Sequence, residues 1–189
     1  MPIPKEKEKY TYQDYAAWPD EERWELIDGQ AYDMSPAPTF DHQTIVLNFA
    51  GIVRNALKGK PCVPGIAPTD IVLSEHDVVQ PDFFVVCDRE KIKTKNIQGA
   101  PDLVVEVLSP STSKKDRWIK RNLYERYGVR EYLIIDPDAK YVERYCLSAN
   151  HLFDKGEVFD WKDTLPLKSL ESIDVPLWEV FGEQQPAAE

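Results

Sequence analysis

The chain has 189 residues, 42% of them hydrophobic and 30% charged, with a formal net charge of −10. That length suits one well-filled domain, and an acidic balance argues against strong non-specific adhesion to the phosphate backbone of nucleic acids. No apolar run approaches the roughly 20 residues a membrane-spanning helix needs, and the charged start Met1–Lys9 lacks the apolar core of a signal peptide, so a cytoplasmic protein without membrane contact is expected.

In chain order, residues 1–9 and 183–189 read as disordered tails around a single domain over 10–182. Tyr10 to Trp18 reads as a short helix. Trp24 to Met34 carries a β-hairpin signal with Asp28-Gly29 at its turn. From Asp41 to Leu57, Ile45, Leu47, Phe49, Ile52, Val53 and Leu57 recur at helical spacing. A strand is expected over Thr69–Leu73. Two further apolar runs follow, Val78–Val86 and Leu103–Leu108, each interrupted by one carboxylate, Asp82 and Glu106. Ser113 opens a second helix, with Asp116 resembling the far half of a capping box, and Gly128 suits its C-terminal end. Glu131–Asp136 is a buried strand stopped by Pro137, and Tyr141–Cys146 is another. The residues after Leu152 read as a peripheral addition. The order is an α/β domain around a central mixed sheet, with a right-handed crossover from Leu103 to Asp136.

Carboxylates are rarely buried unless paired or bound to metal. Asp82 and Glu106, in consecutive core strands, suggest hard oxygen ligands for Mg²⁺ or Mn²⁺. On the helix that follows, Lys120 shares a face with Asp116, Leu123, Tyr124 and Tyr127 at 100° per residue. That face is the one expected against the sheet, where the lysine needs a polar destination; the two carboxylates supply it, while snorkelling to the helix edge is the competing reading. Cys62, Cys87 and Cys146 are odd in number and far apart, which argues against a disulfide framework and a zinc site. His42, His76 and His151 are equally scattered. Residues 114–130 hold seven basic side chains, among them Lys114, Lys115, Arg117 and Arg121, and Arg89, Lys91, Lys93 and Lys95 form a second cluster. These form either a solvated face or a phosphate-facing rim.

The ordered series Trp24-Glu25-Leu26-Ile27-Asp28-Gly29, His42, Pro81-Asp82, Pro101-Asp102-Leu103-Val104-Val105-Glu106-Val107-Leu108-Ser109-Pro110-Ser111-Thr112, Lys120, Tyr124 and Gly128-Val129-Arg130-Glu131-Tyr132 with Asp136-Pro137 resembles the PD-(D/E)XK nuclease superfamily. More narrowly it resembles the restriction-endonuclease-like group often called Uma-two, over about Tyr10 to Leu147. The resemblance implies an αβββαβ core with an N-terminal hairpin and peripheral C-terminal additions. It also implies metal-dependent phosphodiester hydrolysis, with DNA the expected polymer and a homodimer the expected assembly. Asp82, Glu106 and the Val107 carbonyl would hold the metal, and Asp82, Glu106 and Lys120 would be catalytic. Position 108, where the broad motif has lysine, holds leucine; Lys120 would supply that ammonium from the helix. Glu25, His42 and Asp136 are second-tier candidates, each with a structural alternative: a hairpin salt bridge, a helix cap and a turn. Lys114, Lys115, Arg117 and Arg121 would face nucleic acid. An inactive nuclease-fold interaction or nucleic-acid-binding protein is the other reading. A metal-free pair of acids, as in glycoside hydrolysis, leaves the lysine unexplained.

Overall fold

The computed structural model describes residues 8–19, 22–34, 37–110 and 112–187; most of the expected N-terminal tail, residues 1–7, and the last two residues of the C-terminal one lie outside them. A short helix α1 (Tyr12–Tyr15), closed by a Thr11/Asp14 capping box, precedes the hairpin β1 (Trp24–Ile27) and β2 (Gln30–Asp33). Asp28 and Gly29 make its turn with φ of 51° and 77°, a pair of left-handed positions that this turn requires. Helix α2 (Phe40–Ala56) starts at Thr39, whose hydroxyl accepts from His42 N, and buries Ile45, Val46, Phe49 and Val53. Leu47, counted with the apolar periodicity, is instead 71% exposed.

Strands β3 (Val63–Ile66), β4 (Asp70–Ser74), β5 (Asp77–Val79), β6 (Phe83–Val86), β7 (Asn96–Gln98) and β8 (Leu103–Val107) follow. A π-helical turn, Lys115–Lys120, then runs into α3 (Arg121–Tyr127), which ends at Gly128 in the left-handed conformation. Strands β9 (Glu131–Asp136), β10 (Tyr141–Cys146), β11 (Glu157–Asp160), β12 (Thr164–Pro166) and β13 (Asp174–Pro176) and helix α4 (Leu177–Val180) complete the order.

One sheet runs β11-β10-β9-β8-β6-β3 and a second runs β2-β1-β5-β4-β7. In the larger, only β8 and β9 are parallel, joined through the α3 crossover, so the expected mixed sheet and αβββαβ order are present. Two boundaries differ from the sequence reading. The run Val78–Val86 is two strands in two sheets, because Pro81 has no N–H to continue a ladder and Gln80–Asp82 carries the chain from one sheet to the other. The first core strand is Val63–Ile66, while the strand near Thr69–Leu73 belongs to the second sheet.

Side chains of the larger sheet alternate between two cores. Phe83, Val85, Leu103, Val105, Val107, Leu133 and Ile135 pack toward α2; Phe84, Val86, Val104, Leu108, Tyr132 and Ile134 pack toward α3. The C-terminal segment is an addition in topology but not in packing. Leu165, Leu167, Leu170, Ile173, Val175, Leu177 and Val180 join the α2-side core, and each such fully buried side chain contributes about 1.5–3 kcal/mol. The cysteine reading is corrected: Cys62 and Cys87 form a disulfide, leaving Cys146 free. Antiparallel pairing of Val63 with Val86 sets the two flanking cysteines opposite each other, a proximity their 25-residue separation hides. No described helix is long and apolar enough to cross a membrane.

Candidate functional site

Glu106 has the side-chain parity of Val104 and Leu108, so it points from β8 toward α3 and is only 4% exposed. Lys120, 2% exposed, comes down from the helix to meet it: Nζ donates to Glu106 Oε1 at 2.9 Å, and the Tyr124 hydroxyl donates to the same oxygen at 2.7 Å. Lys120 therefore does not snorkel. Leu108 occupies the same face of the sheet, and the ammonium beside Glu106 arrives from the helix instead of from position 108.

Glu25, on the hairpin strand β1, is completely buried and more central than a hairpin salt bridge. Its two oxygens are divided between two lysines: Oε1 lies 2.7 Å from Lys120 Nζ and Oε2 lies 2.7 Å from Lys115 Nζ. The π-helical turn explains this sharing. In an α-helix, residues five apart point about 140° away from each other; i→i+5 hydrogen bonding turns them onto one side, and Lys115 and Lys120 are five apart. Asp116, expected as half of a capping box, is buried instead, with Oδ1 3.6 Å from Lys120 Nζ and no hydrogen-bond partner on that oxygen. Its own signal in the sequence was the i,i+4 spacing to Lys120.

Asp82 stands at the chain's passage between the sheets. Its Oδ2 accepts from Val107 N at 2.8 Å and lies 3.3 Å from His42 Nε2, and that nitrogen is 3.0 Å from the Val107 carbonyl. The Thr39-capped start of α2 thus delivers His42 into the site rather than to the surface. The site then reads continuously as His42, Asp82, Val107, Glu106, Lys120, Glu25.

Charge dominates its electrostatics. Four carboxylates, Glu25, Asp82, Glu106 and Asp116, face two ammonium groups, Lys115 and Lys120, a surplus of two negative charges before any charge on His42. Burial pushes Glu106 up to about 8; Lys120 opposes the shift, and the charges of Asp116, Asp82 and Glu25 add to it. Burial also raises Asp116, against the pull of Lys120. For Glu25 burial acts upward, but Lys120 and Lys115 overcome it and hold the group at about 2. Burial alone would lower Lys120, yet Glu106, Glu25 and Asp116 hold it well above the usual lysine range. His42 is raised, because Asp82 and the Val107 carbonyl outweigh its burial.

Burial raises Glu106 and Asp116 first, and the neighbouring carboxylates add to the shift. Four carboxylates around two lysines give an acidic balance of the kind a hard cation would relieve. No described residue donates a hydrogen bond to Glu106 Oε2 or Asp82 Oδ1, and the Val107 carbonyl keeps a second lone pair. Among the described residues no three His, Cys, Asp or Glu side chains are grouped to hold an ion alone. The groups left with acceptor capacity are Asp82, Glu106 and the Val107 carbonyl.

A model of the Uma2 family, described as "putative restriction endonuclease", matches residues 12–177. The chain belongs to the Uma2 family. The uncharacterized protein slr1290 of Synechocystis sp. (strain ATCC 27184 / PCC 6803 / Kazusa) is 31% identical to this Uma2 chain over 173 residues, 86% of each. The crystal structure of a "putative nuclease belonging to DUF820" from Anabaena variabilis superimposes with a TM-score of 0.75 at 21% identity, covering 91% of this chain and 97% of that one. At that identity the likeness is one of fold.

The remaining candidates of this Uma2 chain lie elsewhere or are engaged. Asp136 pairs with Arg117 and accepts from Asp138 N and Ala139 N, the turn role considered for it. Arg117 also pairs with Glu143 and donates to the Tyr141 hydroxyl. Arg121 lies over the Tyr145 ring at 4.5 Å, and Lys115 is bound to Glu25. Of the four residues expected to face nucleic acid, Lys114 is the exposed one.

Proposed function

We propose that this chain is a Mg²⁺- or Mn²⁺-dependent endonuclease that hydrolyses phosphodiester bonds in DNA, with its catalytic lysine on the helix at Lys120. The observation that carries the reading is the buried Lys120–Glu106 contact of 2.9 Å beside Asp82 and Val107. It supplies the two acids and one ammonium of the nuclease motif with the lysine relocated. A divalent cation on Asp82, Glu106 and the Val107 carbonyl would polarise the phosphoryl oxygen and lower the pKa of a bound water. Lys120, held by Glu25, Glu106 and Asp116, is poised to orient that water and to offset charge growing on the phosphorus oxygens. Glu25 acts on the reaction only through Lys120, and Tyr124 through Glu106.

The test is metal-stimulated cleavage of plasmid and oligonucleotide DNA by wild type, Asp82→Ala and Glu106→Ala. Loss of cleavage in both variants, with folding intact by circular dichroism, is expected. Equal cleavage by all three overturns the reading; DNA binding without cleavage and unaffected by chelator would favour an inactive binding module.

A further inference from the structure

We propose that His42 is a positioning residue for the cation site: its Nε2–H holds the Val107 carbonyl and the Asp82 carboxylate in place, and the ring itself is not a ligand. The inference rests on the metal-dependent reading of the site and adds a residue to which that reading gave no role.

The need for such a donor arises in the backbone. Strands β6 and β8 pair antiparallel, with Phe83 opposite Val105 and Phe84 opposite Val104, and β6 begins at Phe83. Continuing that register would set Pro81 opposite Val107, and proline has no N–H to give to the Val107 carbonyl. On its other edge β8 turns Leu108 N, not Val107, to the Ile135 carbonyl. Side chains stand in for the missing ladder partner. Asp82 Oδ2 accepts from Val107 N at 2.8 Å, and His42 Nε2 lies 3.0 Å from the Val107 carbonyl oxygen. The two side chains also meet each other, at 3.3 Å between Nε2 and Oδ2. Two of the three groups assigned to the cation are therefore held through one ring nitrogen.

Helix α2 fixes that ring. His42 opens the buried stripe continued by Ile45, Val46 and Phe49, and it is 7% exposed. The Thr39 hydroxyl accepts from its backbone N and anchors the same turn. A carbonyl oxygen only accepts, so Nε2 carries a proton, and a protonated ring nitrogen has no lone pair for a cation. Nδ1 is buried without a hydrogen-bond partner among the described residues, so the ring's polar contacts there are Val107 and Asp82. Residues that orient ligands in this way set metal affinity without touching the metal.

Calorimetric Mn²⁺ binding to wild type, His42→Ala, His42→Asn and His42→Gln tests this, with folding checked by circular dichroism. Glutamine carries an amide N–H near the Nε2 position; the shorter asparagine carries one near Nδ1. Affinity should fall about 10–100-fold in His42→Ala and His42→Asn, and His42→Gln should recover most of it. Nitrogen NMR of wild type should show a proton on His42 Nε2 before and after Mg²⁺ is added, a readout that stands even where a variant does not fold. Unchanged affinity in His42→Ala, or an Nε2 without a proton, overturns the proposal. A loss in His42→Gln as deep as in His42→Ala makes the ring a ligand and overturns it too. Unchanged affinity in His42→Ala beside lost binding in Asp82→Ala defeats this inference alone; a wild type that binds no Mn²⁺ defeats the metal reading and this inference with it.

Discussion

Lys120 Nζ lies 2.7 Å from Glu25 Oε1, so a charge pair with both partners buried ties the N-terminal hairpin to the crossover helix beneath which Glu106 sits. Removing one partner of such a cluster strands the rest in low dielectric. Lys120→Met should therefore lower unfolding stability by about 3 kcal/mol or more, read as a shift of the urea midpoint at constant slope. A change below about 0.5 kcal/mol would mean that the cluster is solvated.

The two-lysine hold on Glu25 sets an acid dependence. Its folded pKa of about 2 lies below the ordinary 4.5, so the unfolded chain binds the proton first as pH falls. The stabilisation is complete above about pH 4.5 and is lost between 4.5 and 2. Denaturation of wild type and Glu25→Gln across that window should give a shallower acid loss for the variant; parallel curves would contradict the assignment.

Cation binding should depend on Asp82, which offers an oxygen with no donor among the described residues. Calorimetry should detect Mn²⁺ binding to wild type and none to Asp82→Ala, and added Mn²⁺ should raise the thermal midpoint of wild type alone. Binding of equal affinity by the variant would move the site away from Asp82.

For the cysteines, a thiol reagent should label one residue, Cys146, in unfolded, unreduced protein and three after reduction. Closing a loop of this length contributes about 3 kcal/mol, so Cys62→Ser with Cys87→Ser should lower the thermal midpoint. Three reactive thiols before reduction would contradict the bond.

Strand and helix identities were legible wherever local chemistry fixed them. The hairpin followed from Asp28-Gly29, α2 from its apolar spacing, and β9 from a run bounded by Gly128 and Pro137. The facing of Lys120 was readable too, because helical periodicity alone puts it with Leu123 and Tyr124. Glu25 was read as a hairpin salt-bridge partner because nothing local marks its burial, and the cap reading of Asp116 overrode the helical spacing that places it on the face of Lys120. Their roles follow from a π-helical turn that sequence spacing does not announce.

What the sequence by itself determined is the buried carboxylate Glu106 and the lysine on the buried face of the next helix, because periodicity and burial cost are local properties. Asp82, expected within a core strand, stands instead in the bend between two strands and is partly exposed. Only the tertiary structure decided that Lys120 answers to Glu25 as well as Glu106, that His42 reaches Asp82, that Cys62 meets Cys87, and that Lys115, Arg117 and Arg121 are engaged within the protein. Each of these depends on register between distant segments: pairing two strands or laying a helix on a sheet chooses charge partners that no spacing along the chain can specify.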